Sequence, residues 1–189
     1  MSKSEIKSLF SRKQLIAMTM GTVLYAATTI PFNTLPVPGA GGLIAFRPTV
    51  AIPMMLGIAF GPLTGFVSGF LGNVISDGMS FNGFFWNWEI ASGLLGAIPG
   101  LVIAVIARTD WTKLRSLPTS VGLVVIASIV GAGFGALADY VFLVGAGSGG
   151  VVLAEFSSAA GTDAVNGAIF TPILLYAYAR ATVGRARRV

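Results

Sequence analysis

An all-α integral membrane protein, a compact bundle of six transmembrane helices with both termini in the cytoplasm, is the fold class predicted for this 189-residue chain. Three observations predict it. The composition is 54% hydrophobic and only 10% charged, against roughly 25% charged in soluble domains, so polar groups are too few to cover a water-facing surface and the solvent must be lipid. Six apolar segments can be drawn, separated by turn residues or charges. With six spans, the basic residues then fall almost entirely on one side.

The first segment, about residues 14–30, follows a basic start, MSKSEIKSLFSRKQ. That order resembles a signal peptide. The apolar run continues to Ile30 and stops at Pro31 with no Ala-x-Ala-like cleavage site, so it is expected to remain as the first span. Residues 48–60 and 62–76 form the second and third. Between Arg47 and Asp77 lie 29 uncharged residues broken by Gly61-Pro62. Both segments are shorter than the roughly 17–20 residues a span needs. Either they are shielded by protein or they form one bent helix. Gly61 at the end of one helix and Pro62 in the first turn of the next favours two. Residues 88–107, 120–144 and 159–179 complete a single membrane domain over 1–189.

The charges set the orientation. Of 12 Lys and Arg residues, all but Arg47 fall before span one, between spans four and five, or after span six. By the positive-inside rule that side is cytoplasmic. The net charge of +5 therefore faces anionic headgroups, and no nucleic-acid partner is expected. Glu5 and Asp110 are cytoplasmic, whereas Asp77, Glu89, Asp139, Glu155 and Asp163 gather near the outer ends of spans or in the loop before span six. Ionisable groups inside a membrane are costly and mark sites. With Asn73, Asn87 and Asn166 beside them, these acids read as an outward polar site or as interfacial groups touching water.

Small residues repeat every four positions at Gly57, Gly61, Gly65 and Gly69, and again at Ala127, Gly131 and Gly135 up to Asp139. Such faces let helix backbones approach closely. On the first span, Ala17 and Gly21 begin a similar stripe, which either packs internally or receives a partner's helix. The outer segments PFNTLPVPGAGGLIAF and GAGSGGVVLAEFSS are rich in Gly yet largely uncharged, as lids over an outward cavity would be, or plain connectors. In the cluster Phe81, Phe84, Phe85, Trp86 and Trp88, aromatic rings alternate with Asn82, Asn87 and Glu89. An interfacial belt has such rings; so does one wall of a site for a flat heteroaromatic ligand.

Several chemistries are excluded. The chain has no His and no Cys, which removes a Ser-His triad, thiol chemistry and the commonest transition-metal ligands. No Walker A sequence is present. No catalysis, metal or cofactor is expected. A transporter or binding subunit, a carboxylate-driven proton or cation carrier, and a membrane structural protein remain.

FRPTVAIP, FGPLTGFVSGFLGNVISD and FFWNWEIASGLLGAIPGL, over about residues 47–101, resemble the substrate-binding S component of energy-coupling factor (ECF) vitamin transporters. Ala17-x-x-x-Gly21 and Asn166-Gly167 extend the likeness weakly. The resemblance implies a multi-pass protein of the cell membrane that captures a vitamin or related small heteroaromatic molecule from outside. It implies docking on a membrane coupling subunit driven by two cytoplasmic ATPases, with Ala17 and Gly21 at that contact. Ligand would close the outer loops, and ATP-driven movement of the coupling subunit would rotate the whole component. The site lies in the outer half. Trp86, Asn87 and Trp88 are expected as the main ligand contacts, followed by Glu89, Asp139, Asp163 and Asn166. Asn73 and Asp77 contact ligand, brace the site or cap span three, and Arg47 pairs with Asp77 or Glu89 or meets an anionic ligand group. The competing expectation is a standalone proton- or cation-coupled carrier titrating Asp139 or Asp163.

Overall fold

The computed structural model describes residues 11–35, 46–106, 110–144 and 149–186. Lys3, Lys7, Glu5, Arg108, Arg187, Arg188 and residues 36–45, most of the first segment expected as a lid or connector, lie outside them. Among the described residues the chain forms six α-helices: α1 Arg12–Thr29, α2 Ala51–Phe60, α3 Pro62–Phe81, α4 Trp86–Ile106, α5 Leu117–Asp139 and α6 Gly149–Ala186. Short 3-10 turns at Phe32–Thr34, Pro48–Val50 and Leu114–Ser116 lead out of α1, into α2 and into α5, and a π turn at Tyr140–Val144 continues α5. Among the described residues, three segments are long and apolar enough to cross a membrane, namely Arg12–Thr34, Trp86–Val105 and Leu117–Phe142.

Local sequence explains the boundaries. Ser11 caps α1, its hydroxyl accepting from the Gln14 amide at 3.4 Å. Gly61 adopts φ 103°, a backbone state that side chains resist, and Pro62 opens α3 directly after it. The expected two-helix reading of this stretch is what the backbone shows. Asn82 ends α3 in the left-handed region at φ 53°. Two boundaries differ from the sequence reading. Helix α3 runs on to Phe81 because Ser76, Asp77 and Ser80 all meet the Asn33 side chain on α1's exit turn. Helix α6 begins at Gly149, so most of the segment expected to be a loop or lid before span six is helix; VVLAEF contains nothing that breaks one.

The helices α1, α3, α4, α5 and α6 pack in that order, α1 on α3, α3 on α4, α4 on α5 and α5 on α6. Helix α2 touches α1, α3, α4 and α6. This central position explains how ten residues, about 15 Å of helix, can serve against a hydrocarbon core of about 30 Å: its neighbours shield it from lipid. Ala51, Pro53, Met54, Leu56, Gly57 and Ile58 are buried. Helix α6 has the opposite excess, 38 residues or about 57 Å, so it extends well past a bilayer's core.

Glycines set the close approaches. A β-carbon on Gly57 or on Gly65 would fall on the carbonyl oxygen of Gly96, and one on Gly69 on that of Ser92. Helices α2, α3 and α4 therefore meet backbone to backbone. On α5, Gly131 lies against Ala91 and Leu95, and Gly135 lies under the Trp88 ring; this stripe is an internal face. So is the α1 stripe. Ala17 is 8% exposed, and a β-carbon on Gly21 would strike Leu56 and Ser68. The four-residue spacing continues to Tyr25 and Thr29, both fully buried. Ala17 and Gly21, expected at a contact surface for a second protein, are both buried inside the bundle in this conformation.

Both ends of the described chain come to the Gly61 end. The Gln14 side chain donates to the Phe60 carbonyl at 3.2 Å, Lys13 lies over the Phe60 ring, and Tyr178 of α6 packs on that ring at 5.3 Å. Trp111, between α4 and α5, packs there too, on the cluster of Ile58, Leu123 and Leu175. Outside the helices, Asp110 accepts from the Thr112 hydroxyl and amide and pairs with Lys113 at 3.0 Å. These contacts, the Thr112 hydroxyl first, hold its carboxyl down at about 2. The opposite end carries the polar residues.

Candidate functional site

At the Arg47 end, polar side chains from five helices and the Arg47 turn converge in two groups. The first is centred on Asn73 of α3, which is fully buried. Its amide nitrogen donates to Asp77 Oδ2 at 2.9 Å and to Glu89 Oε2 at 2.7 Å. Its amide oxygen accepts from Arg47 Nη1 at 3.2 Å and from the Tyr25 hydroxyl at 3.4 Å. Both hydrogens and both lone pairs are thus used. The orientation of the amide is dictated by charge, since the reverse would set its oxygen against two carboxylates. Arg47 Nη2 reaches Asp163 Oδ2 of α6 at 3.6 Å.

Arg47 was expected to pair with Asp77 or Glu89 or to meet an anionic ligand group; its ion partner is Asp163. The reason is topological. Arg47 precedes the Pro48–Val50 turn, which packs between α1 and α6, and Thr29 and Thr49 fix that turn to α1 through a 2.7 Å hydroxyl pair. The guanidinium therefore reaches α6 on one side and Asn73 on the other. On either side of residues 36–45, the Phe46 amide donates to the Leu35 carbonyl at 2.7 Å and Phe32 packs edge-on to Phe46.

The second group joins α4 to α5 and α6. Asn87 is buried, and its amide nitrogen donates to the Gly135 carbonyl at 2.9 Å. The Trp88 ring lies on Gly135, and its Nε1–H donates to Asp139 Oδ2 at 2.7 Å. Trp88 and Phe156 pack on Ala132, Ala159 and Ala160. Glu155, one turn before Ala159 on the same face of α6, is buried and within electrostatic range of Asp139.

The aromatic cluster divides. Phe81, Phe84, Phe85 and Trp86 are 36–61% exposed, and Trp86 meets Phe134 and Phe142 edge-on. These rings form an outward belt, so the structure places Trp86 away from the polar groups it was expected to join. Trp88 alone faces inward, because a helix starting at Trp86 turns residues 88, 89 and 92 to the bundle.

Among the described residues, Glu155 Oε2 and Asn166 Nδ2 are buried without a hydrogen-bond partner, and Ser92 Oγ has only the neighbouring Tyr25 hydroxyl to meet. Native proteins rarely leave such atoms unmet, and each one calls for an explanation. Tyr25, Asn33, Ser92 and Glu155 were missing from the sequence-level set of site residues. Glu155 was legible as one of the intramembrane acids. Tyr25 was legible as the continuation of the four-residue stripe through Ala17 and Gly21. Asn33 and Ser92 gave no signal of their own. No group of three or more acids able to hold a metal occurs among the described residues.

Comparison with known proteins identifies relatives without stated activities. A UPF0397 protein of Streptococcus gordonii is 29% identical over 100 residues, covering 53% of this chain and 52% of the relative. One from Streptococcus pneumoniae is 35% identical over 97 residues, covering 51% and 50%. The chain spans about half the length of the curated relatives it matches. No solved structure matches it. The family profile described as "ECF-type riboflavin transporter, S component" matches residues 9–180. That match takes in five helices, most of the sixth and both polar groups, and the chain therefore belongs to this family of membrane-embedded transporter subunits, which are not enzymes.

Proposed function

We propose that this chain captures riboflavin from outside the cell and delivers it by docking on an ATP-driven membrane coupling module. The observation that carries the reading is the pair of buried, unpartnered polar atoms at Glu155 and Asn166, in a chain whose family is defined by riboflavin-type S components. A ligand with an array of donors and acceptors would satisfy them. Trp88, Asp139, Glu155, Ser92 and Asn166 are the proposed contacts. Asn87, Glu89, Arg47, Asn73, Asp77 and Asp163 hydrogen-bond chiefly to one another or to backbone and hold the site's walls. The basic face at the Gly61 end is the cytoplasmic one, and the Arg47 end faces out. The coupling subunit meets the exposed apolar side of α1, where Ile16, Met20 and Val23 stand open.

Two measurements test this. Purified chain in detergent should quench the fluorescence of added riboflavin at a 1:1 stoichiometry, and mass spectrometry of the purified protein should find a co-purifying flavin. Folded protein that binds no flavin would overturn the substrate. Uptake into liposomes holding the chain alone, with no ATPase, would favour the standalone carrier instead.

A further inference from the structure

The buried acids outnumber the buried bases at the Arg47 end. Among the described residues Asp77, Glu89, Asp139, Glu155 and Asp163 are all buried, against Arg47 alone. Their surroundings differ sharply. Asp77 and Glu89 accept from the Asn73 amide, Asp163 pairs with Arg47, and Asp139 accepts the Trp88 indole N–H. Glu155 is the exception: it is 9% exposed, its Oε2 has no partner among the described residues, and its charged neighbour is another acid, Asp139. A carboxylate oxygen held this way is an acceptor awaiting a donor. It is also a fixed obstacle to any anion, because the one buried guanidinium is committed to Asp163 and Asn73.

Resting on the riboflavin reading above, we propose that Glu155 is a specificity-determining residue: it accepts a hydrogen bond from a hydroxyl of the flavin's sugar-alcohol side chain and, with Asp139, rejects the same molecule carrying a 5′-phosphate. Geometry favours the side chain over the ring at this point. The flat surface in this group is Trp88, backed by Gly135 and by Ala132, Ala159 and Ala160, and Glu155 stands one turn beyond that patch along α6. A ring lying near Trp88 would send its hydroxylated tail toward Glu155. A phosphate there would meet two like charges at separations of several ångström inside a low-dielectric bundle.

Like charges about 6 Å apart at an effective dielectric of about 20 disfavour binding by about 100-fold. Riboflavin should therefore bind the purified, detergent-solubilised chain about 100-fold more tightly than riboflavin 5′-phosphate by fluorescence titration. In Glu155→Gln, which keeps the shape, removes one of the two charges and leaves Asp139, that ratio should shrink by at least about 10-fold. A second arm needs no variant: riboflavin 5′-acetate, bulky but neutral, should bind the unaltered chain within about 10-fold of riboflavin, separating charge from size. An unchanged ratio in Glu155→Gln would overturn the proposal, as would equal losses for the acetate and the phosphate. If the folded chain binds neither riboflavin nor its esters, the substrate reading falls and this inference falls with it. If riboflavin binds and only the ratio fails to move, the substrate reading stands and the role of Glu155 does not.

Discussion

Asn73→Ala removes the residue on which α1, α3, α4 and the Arg47 turn converge. The loss can be worked bond by bond. Asp77 keeps the Asn33 amide at 3.2 Å, and Arg47 keeps Asp163 at 3.6 Å. Glu89 keeps only the Phe85 amide at 3.4 Å, so its carboxylate is left buried and nearly unpartnered. Hydrogen bonds to charged groups contribute about 1.5–3 kcal/mol each, and stripping one partner from a buried charged pair costs about 3–5 kcal/mol. We expect a loss of about 4 kcal/mol. For chains of this length, at roughly 2–4 °C per kcal/mol, the Tm falls by about 8–16 °C. The assay is thermal unfolding of purified protein in one detergent, followed by tryptophan fluorescence and by helical circular dichroism. The double variant Asn73→Ala with Glu89→Met supplies the decisive comparison. Removing the donor and the charge together leaves no orphaned carboxylate, so the double variant should regain at least about half of the lost stability. A single-variant Tm drop below about 3 °C, or losses that simply add in the double variant, would refute the reasoning.

Three further outcomes follow from the same geometry. Gly57→Ala should destabilise by about 3 kcal/mol, since its new methyl meets the Gly96 backbone and overpacking costs about 1–3 kcal/mol where relief requires helices to part; Gly78→Ala, with open space around it, should be neutral or stabilising by up to about 1 kcal/mol, and equal Tm values for the two would contradict the proposed seam. Trp88→Phe keeps a ring over Gly135 but loses the 2.7 Å bond to Asp139, so riboflavin affinity should fall by about 10-fold, the cost of one bond of about 1.5 kcal/mol, whereas Trp86→Phe should leave it unchanged. Asp110 should titrate by carbon-detected NMR at about 2. Because that folded value lies below the unfolded one near 3.9, whatever stability Asp110 gives is complete above about pH 4 and fades as pH falls through about 2. Thr112→Val should raise the midpoint, and a midpoint unmoved by that change would discount the Thr112 hydroxyl as its main cause.

Particular residues show where sequence reasoning reached and where it stopped. Gly61-Pro62 was legible because the two residues obey local rules, positive φ at the one and a missing N–H at the other. The four-residue stripes were legible as close-packing faces because helix geometry fixes which residues share a face. Whether a stripe faces inward was not legible, since periodicity names a face without naming its neighbour; Ala17 and Gly21 turned out to be sealed against α2 and α3. The start of α6 was misread because Gly-rich, uncharged segments fit a loop and a helix's first turn equally well. The aromatic run 81–88 was legible as a group, but only the start of α4 at Trp86 separated the outward belt from Trp88.

By itself, the sequence determined the solvent and the element count. Those depend on composition and on short-range rules that act within a few residues. It also determined which residue types could take part in a site, because a chain without His or Cys and with most of its acids in or beside spans has few options. The pairings were decided only by tertiary structure. Arg47 could satisfy any of several acids, and it meets Asp163 because the Pro48–Val50 turn is wedged between α1 and α6. Asn73 became the hub, and Glu155 the acid left without a donor, because hydrogen bonds are made between helices far apart in the chain, and only packing sets which of them come within about 3 Å.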